Sequence, residues 1–337
     1  MTAPDVEALR TLLTSSPAAF PLEATAAGDA ILFATLSEDD YRAASFLDRR
    51  LLTPERRTGT VPRELLRPWL AALPRGCDFI FHVSHCGSTL LSRLLACDPA
   101  VLPLREPAIL RQAALRGADE RMADDALPLL ARTFRPGQRA MIKATSVVNR
   151  IAAPLLHRAD DARGLLVTVP AETFLAAVLD GSPGDILAHA GERFTRLQEC
   201  GVPITGGPES LGVGEAAAAG WLCENLTLAD LARRFPDRTT WLDFDRFLAA
   251  PATGLAAALA AFGLATDPEA ILASGVMTRY AKRPEVAYDA AFRGRLLADA
   301  RIRLGDVIEA GLAWLDDVGA ADRLTGTPVR IRTGDVH

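Results

Sequence analysis

Ser84-His-Cys-Gly-Ser-Thr-Leu-Leu-Ser-Arg-Leu-Leu95 gathers hydroxyls, an imidazole, a thiol and a glycine into one short stretch. A glycine turn that opens a helix exposes unpaired backbone N–H groups at the positive end of the helix dipole, so Gly87, Ser88 and Thr89 are read as a phosphate or sulfate site. His85 and Cys86 stand beside it, and Ser88 or Thr89 is able to cap the first turn. A thiol at a helix N-terminus is expected to have a lowered pKa, so Cys86 is expected to be the most reactive of the five cysteines. Glu106, in Pro103-Leu-Arg-Glu-Pro107, is a carboxylate suited to taking a proton. The proline after it should push Glu106 out of the α region into an extended loop, with Pro107 opening a helix. Lys143 is one of only two lysines among 37 basic residues, the other being Lys282, and a lysine kept against that bias stands out.

The nucleoside-triphosphate version of such a loop reads GxxxxGK(S/T), but here the lysine position is Ser88 and the first glycine position is His82. That motif is therefore missing. His82, His85 and Cys86 invite a metal reading, yet strand positions three apart face opposite sides and no second ligand pair follows, so no metal is expected.

The elements that must hold these residues follow from the pattern. The β-branched and aromatic run 78–84 reads as a buried strand, and Leu90, Leu91, Leu94 and Leu95 share one face of a helix after it. Further strands are expected at 139–144, at 164–169 and from Thr239 to Phe244, alternating with helical spacing over 172–179, 186–197, 215–234 and 247–262. This order predicts an α/β, three-layer fold with a mostly parallel central sheet. Residues 1–75 show helical spacing and no convincing strand, so they are expected to form a helical N-terminal cap on an α/β domain spanning 76–324. Residues 325–337 are expected to be a flexible tail, and the Gly- and Pro-rich stretch 201–214 a mobile loop or lid.

Composition narrows the function classes. With 337 residues, 49% hydrophobic and 23% charged, the chain has the profile of a globular protein and not of a disordered one. A net charge of −5 gives no global footprint for nucleic acid or an anionic membrane. The stretch 247–265 is interrupted by Pro251, Gly254 and Gly263 and reads as a core helix, not a membrane span. An odd number of cysteines without a CxxC pair, and an acidic start without an export signal, point to free thiols and the cytoplasm.

The segment SHCGSTLLSRLL resembles the 5′-phosphosulfate loop of sulfotransferases, in which a basic residue and Ser-Gly precede two hydroxyl residues. The resemblance implies a P-loop-like fold and transfer of a sulfuryl group from 3′-phosphoadenosine 5′-phosphosulfate (PAPS) to a hydroxyl or amine of a small-molecule or peptide acceptor, without a metal. It assigns Gly87, Ser88 and Thr89 to the phosphosulfate, with Cys86 in place of the family serine. His85 stands where the family has Lys or Arg, so its charge would have to be held up by the anion and activity would fall as pH rises. The segment at Glu106-Pro107 resembles the one that carries the family's base, and Lys143 matches a strand lysine placed at the transferring group, while Thr145 stands where some members have a histidine. The family's 3′-phosphate Arg and Ser fall on Thr168 and Ala176, so both groups are missing, and Arg279, Lys282 and Arg283 are candidates to replace them. The alternatives are a P-loop phosphotransferase and a non-catalytic nucleotide-binding protein.

Overall fold

The computed structural model describes residues 3–116, 119–159, 161–180, 183–280, 283–287 and 290–334. Its central element is Cys77–His82 (β4), buried at all six positions. Side chains of a strand point alternately to its two faces, so complete burial means that both faces are covered. Val101–Arg105 (β5) and Gly164–Thr168 (β7) are buried throughout in the same way. With Arg139–Lys143 (β6) and Thr239–Asp243 (β8) they form a five-stranded, all-parallel sheet in the order β5-β6-β4-β7-β8. Phe79, Ile80 and Phe81 are fully buried in β4, and each such side chain contributes about 1.5–3 kcal/mol. Asp78 accepts from Arg139 Nε at 2.7 Å and from the Arg163 backbone N–H at 2.8 Å, which ties β4 to β6 and to the residue preceding β7.

The strand order decides where a ligand goes. From β4 the chain runs out to β5, returns to β6 at one side of β4, and then crosses to β7 at the other. Neighbouring connections diverge at the carboxyl end of β4, and such a switch point is where open parallel sheets hold ligands. The loop 83–87 lies at this end, followed by the helix Ser88–Leu95. Helices Ala171–Leu179, Val213–Arg234 and Ala290–Asp317 pack on one another. Gly214 and Gly311 make the last two approach closely, since a Cβ on Gly214 would lie 2.0 Å from the Val307 carbonyl oxygen.

The strands expected at 78–84, 139–144, 164–169 and 239–244 are present to within two residues. Expected helices 186–197 and 247–262 are each broken once, between Ala188 and Ala190 and between Ala249 and Pro251.

Two expectations are corrected, and one strand was not expected. Residues 1–75 are not all-helical: Ala19–Ala24 (β1), Ala30–Thr35 (β2) and Thr58–Pro62 (β3) form an antiparallel sheet in the order β1-β2-β3. β1 is buried at every position, so it lacks the alternation that would have marked it, and a short apolar run does not distinguish strand from helix. β5 escaped notice because Pro103 punctuates it; as an edge strand of the parallel sheet it tolerates the missing donor. The tail is docked over 325–334. Arg330 forms a buried ion pair with Asp243 at 2.7 Å, and the carbonyls of Arg330 and Ile331 accept from the N–H groups of Ala171 and Glu172 at a helix start. Those N–H groups have no intrahelical partner, so the tail supplies one. Among the described residues no helix is long and apolar enough to cross a membrane.

Candidate active site

The loop after β4 turns through unusual backbone. Ser84, His85 and Glu106 are the non-glycine residues with positive φ among those described, at 70°, 47° and 52°, and all three line one cleft. Left-handed backbone costs an ordinary L-residue roughly 1–2 kcal/mol, so the surrounding structure must hold it in place. Gly87, at φ 75°, is the N-cap of helix Ser88–Leu95 and has no side chain to satisfy the first N–H groups. This corrects the expectation that Ser88 or Thr89 caps the turn. The uncapped helix start faces a cleft of about 250 Å3 lined by the whole of Ser84 to Leu90, with Glu106 and Lys143.

The expected site residues divide clearly. His85, Cys86, Gly87, Ser88, Thr89, Glu106 and Lys143 are all brought to this cleft. Lys143, at the end of β6, forms an ion pair with Glu106, its side chain 3% exposed against 18% for the acid. The Glu106 N–H also donates to the Lys143 carbonyl at 2.7 Å, continuing the ladder one residue past β5. This bond and the side-chain pair draw Glu106 back onto β6, so its backbone is left-handed instead of extended as the following proline led us to expect. Cys86 is fully buried, and desolvation pushes its thiol pKa up despite the opposing pull of Lys143 and of hydrogen bonds from Ser88. It is therefore not an activated thiol.

Thr168 is not at the cleft. It is fully buried and its hydroxyl donates to Asn225 Oδ1 at 2.8 Å, so its place among the ligand-binding residues is withdrawn. Ala176 does line the cleft, presenting a methyl where the resemblance calls for a hydroxyl. Lys282 lies outside the described residues, and Arg279 and Arg283 belong to two short antiparallel strands, Arg279–Tyr280 and Arg283–Ala287. The stretch 201–214 contributes no residue to the cleft.

The cleft is also lined by residues the sequence did not single out: Phe244, Asp180, Arg293, Leu296 and Leu297. Phe244 lies directly on the loop, for a Cβ on Gly87 would sit 2.0 Å from its Cζ. Arg293 donates through Nη1 to Asp245 at 2.7 Å and holds its guanidinium carbon 5.3 Å from the centre of the Phe244 ring. Its Nη2 is buried without a partner. One edge of the guanidinium is thus committed to Asp245 and the other makes no hydrogen bond. As one of 35 arginines it had no spacing signal to distinguish it.

No family model and no curated protein matches the chain. Similar solved structures include the sulfotransferase domain from the curacin biosynthetic pathway, with 12% identity, a TM-score of 0.39, and coverage of 69% of this chain and 98% of that one. The sulfotransferase domain from the olefin synthase of Synechococcus PCC 7002 has 16% identity, a TM-score of 0.40, and coverage of 72% and 95%. A sulfotransferase from Alicyclobacillus acidocaldarius has 17% identity, a TM-score of 0.36, and coverage of 72% and 99%. The chain's own strand order and register establish an α/β fold with an all-parallel sheet, and a polar cleft at the carboxyl end of its central strand.

Proposed function

We propose that the chain transfers a sulfuryl group from PAPS to a hydroxyl or amine of a small-molecule or peptide acceptor in the cytoplasm. The observation that carries this reading is the meeting of the uncapped helix start at Gly87 with the Lys143–Glu106 ion pair in one cleft. An anion cradle beside a lysine and a carboxylate provides charge stabilisation and proton acceptance for in-line transfer. The sequence resemblance of Ser84 to Leu95 to a phosphosulfate loop supports the same reading.

In this mechanism the N–H groups of Gly87, Ser88 and Thr89 hold the 5′-phosphosulfate. Binding of the anion draws Lys143 toward the oxygen bridging phosphorus and sulfur, and this leaves Glu106 free to accept a proton. The acceptor oxygen or nitrogen forms its bond to sulfur as the sulfur–bridging oxygen bond breaks. The acceptor's proton passes to Glu106, and the departing phosphate charge is balanced by Lys143 and by His85 when protonated.

Within the cleft Ala176, Ala177 and Leu297 offer apolar surface for an adenine, while Asp180 is paired with Arg303 at 2.6 Å. The free Nη2 of Arg293 is the group we assign to the 3′-phosphate, in place of the missing Arg and Ser. A charge-assisted hydrogen bond of this kind contributes about 1.5–3 kcal/mol, so Arg293→Gln should weaken adenosine 3′,5′-bisphosphate by about 10- to 100-fold and leave pyrophosphate affinity unchanged. Equal loss for both probes in calorimetry would mean that Arg293 acts on the loop and not on the second phosphate. The activity itself is tested by incubating the protein with sulfur-labelled PAPS and a panel of phenols, alcohols, amines and peptides. Acceptor-dependent labelled product is expected. Turnover of ATP that requires Mg²⁺, with none of PAPS, would replace this reading with phosphoryl transfer.

A further inference from the structure

The second histidine of the strand–loop junction, His82, is 4% exposed, lines the same cleft and is assigned no step in the proposed transfer. Its ring joins two pieces of backbone that the cleft needs in register. The Ser84 N–H donates to His82 Nδ1 at 2.9 Å, and His82 Nε2 lies 2.7 Å from the Ala144 carbonyl oxygen. A backbone N–H only donates and a carbonyl only accepts, so the two partners fix the ring's state. Nδ1 carries a lone pair, Nε2 carries the proton, and the imidazole is neutral.

The ring spans the site. Ser84 is the first left-handed residue of the loop, and Ala144 follows Lys143 directly in sequence. The His82 carbonyl in turn accepts from Asn149 Nδ2 at 3.0 Å, and the same amide group donates to Glu224 Oε2 at 2.9 Å. Glu224 is itself buried and receives Arg196 Nη1 at 3.1 Å. Strand, loop and the helix Val213–Arg234 are thus linked through His82 and Asn149.

We infer that His82 is a positioning residue: its neutral, Nε2-protonated imidazole holds Ser84 in the left-handed conformation that aims the loop's N–H groups at the anion, and fixes that loop relative to Lys143. The inference rests on the proposed anion site. A second proton would place a donor on Nδ1 facing the Ser84 N–H, so the imidazolium is incompatible with this loop.

Two substitutions separate the ring's two bonds. In His82→Asn the side-chain oxygen takes the place of Nδ1 and still accepts from Ser84, while the contact to Ala144 is lost. In His82→Gln the amide nitrogen takes the place of Nε2 and still donates to Ala144, while Ser84 loses its acceptor. Each variant drops one hydrogen bond of the ring, the buried one to Ala144 or the half-buried one from Ser84, so both should lose thermal stability. Adenosine 3′,5′-bisphosphate is the probe. His82→Asn is expected to keep affinity near that of the unaltered protein, and His82→Gln to lose about 10-fold, the cost of a half-buried donor left without its acceptor. Nitrogen NMR of the ligand-free protein should show a protonated Nε2 and a bare Nδ1, and hydrogen exchange at the Ser84 amide should be slow except in His82→Gln. A proton on Nδ1, or equal affinity and exchange in the two variants, overturns the inference. If the unaltered protein fails to bind the nucleotide while tautomer and exchange behave as stated, the functional reading has failed and the positioning role stands.

Discussion

Glu106→Gln should retain nucleotide binding and lose about 100- to 10,000-fold in turnover, the usual worth of a positioned proton acceptor. The amide is nearly isosteric with the carboxylate and still offers an oxygen to Lys143, but it cannot take the acceptor's proton. The pairing adds a second expected effect. Lys143 is 3% exposed and its cation is balanced by Glu106, and removing one partner from a buried pair costs about 3–5 kcal/mol. The residual hydrogen bond to the amide offsets part of this, so the variant should melt lower yet still fold. Adenosine 3′,5′-bisphosphate replaces the missing negative charge and should therefore stabilise Glu106→Gln at least as strongly as the unaltered protein. Single-turnover transfer beside calorimetric binding makes the comparison, and unchanged turnover would remove Glu106 from the mechanism.

Gly87→Ala should abolish high-affinity nucleotide binding. Its backbone sits at φ 75°, and an added Cβ would meet three atoms of the Phe244 ring at 2.0, 2.2 and 2.3 Å. Left-handed backbone costs an alanine roughly 1–2 kcal/mol, and forcing a methyl into a filled space costs about 1–3 kcal/mol. Phe244 has little room to retreat, being 2% exposed and stacked on Phe247 at 5.5 Å. The loop must therefore give way, and the N–H groups at Gly87 to Thr89 move with it. Pairing Gly87→Ala with Phe244→Leu in a double-mutant cycle separates the two costs, since residues in contact couple by about 0.5–3 kcal/mol. Strict additivity of the two substitutions would show that the ring does not rest on the loop.

The sequence revealed the parts of the site that are local in the chain. Strand, glycine and helix of the anion loop fall within one window, so their period change and the GST triplet are visible together. Glu106 was marked by the proline after it and Lys143 by the scarcity of lysine, and the structure joins the two as one ion pair. That pairing was not legible, because β5 hides behind Pro103 and nothing in the chain says that β5 lies beside β6. The same limit concealed the rest of the lining. Arg293 and Leu297 reach the cleft on a helix that begins just over two hundred residues after the loop, and their spacing is that of any amphipathic surface. His82 was visible only as a possible metal ligand, since a histidine whose two nitrogens serve backbone groups has no spacing rule. The docked tail was concealed for a related reason: Arg330 is buried by a partner, Asp243, that only the folded sheet brings near.

The most direct test is the thermal stability of the protein with adenosine 3′,5′-bisphosphate, compared with AMP, with GTP and with ATP plus Mg²⁺. A ligand at 100 times its dissociation constant adds about 2.7 kcal/mol to the folded state, which is readily seen as a rise in melting temperature. Selective stabilisation by the bisphosphate, reduced in Arg293→Gln, is the predicted result. Stabilisation by ATP with Mg²⁺ alone, or by none of the four, would contradict the assignment of this cleft to PAPS.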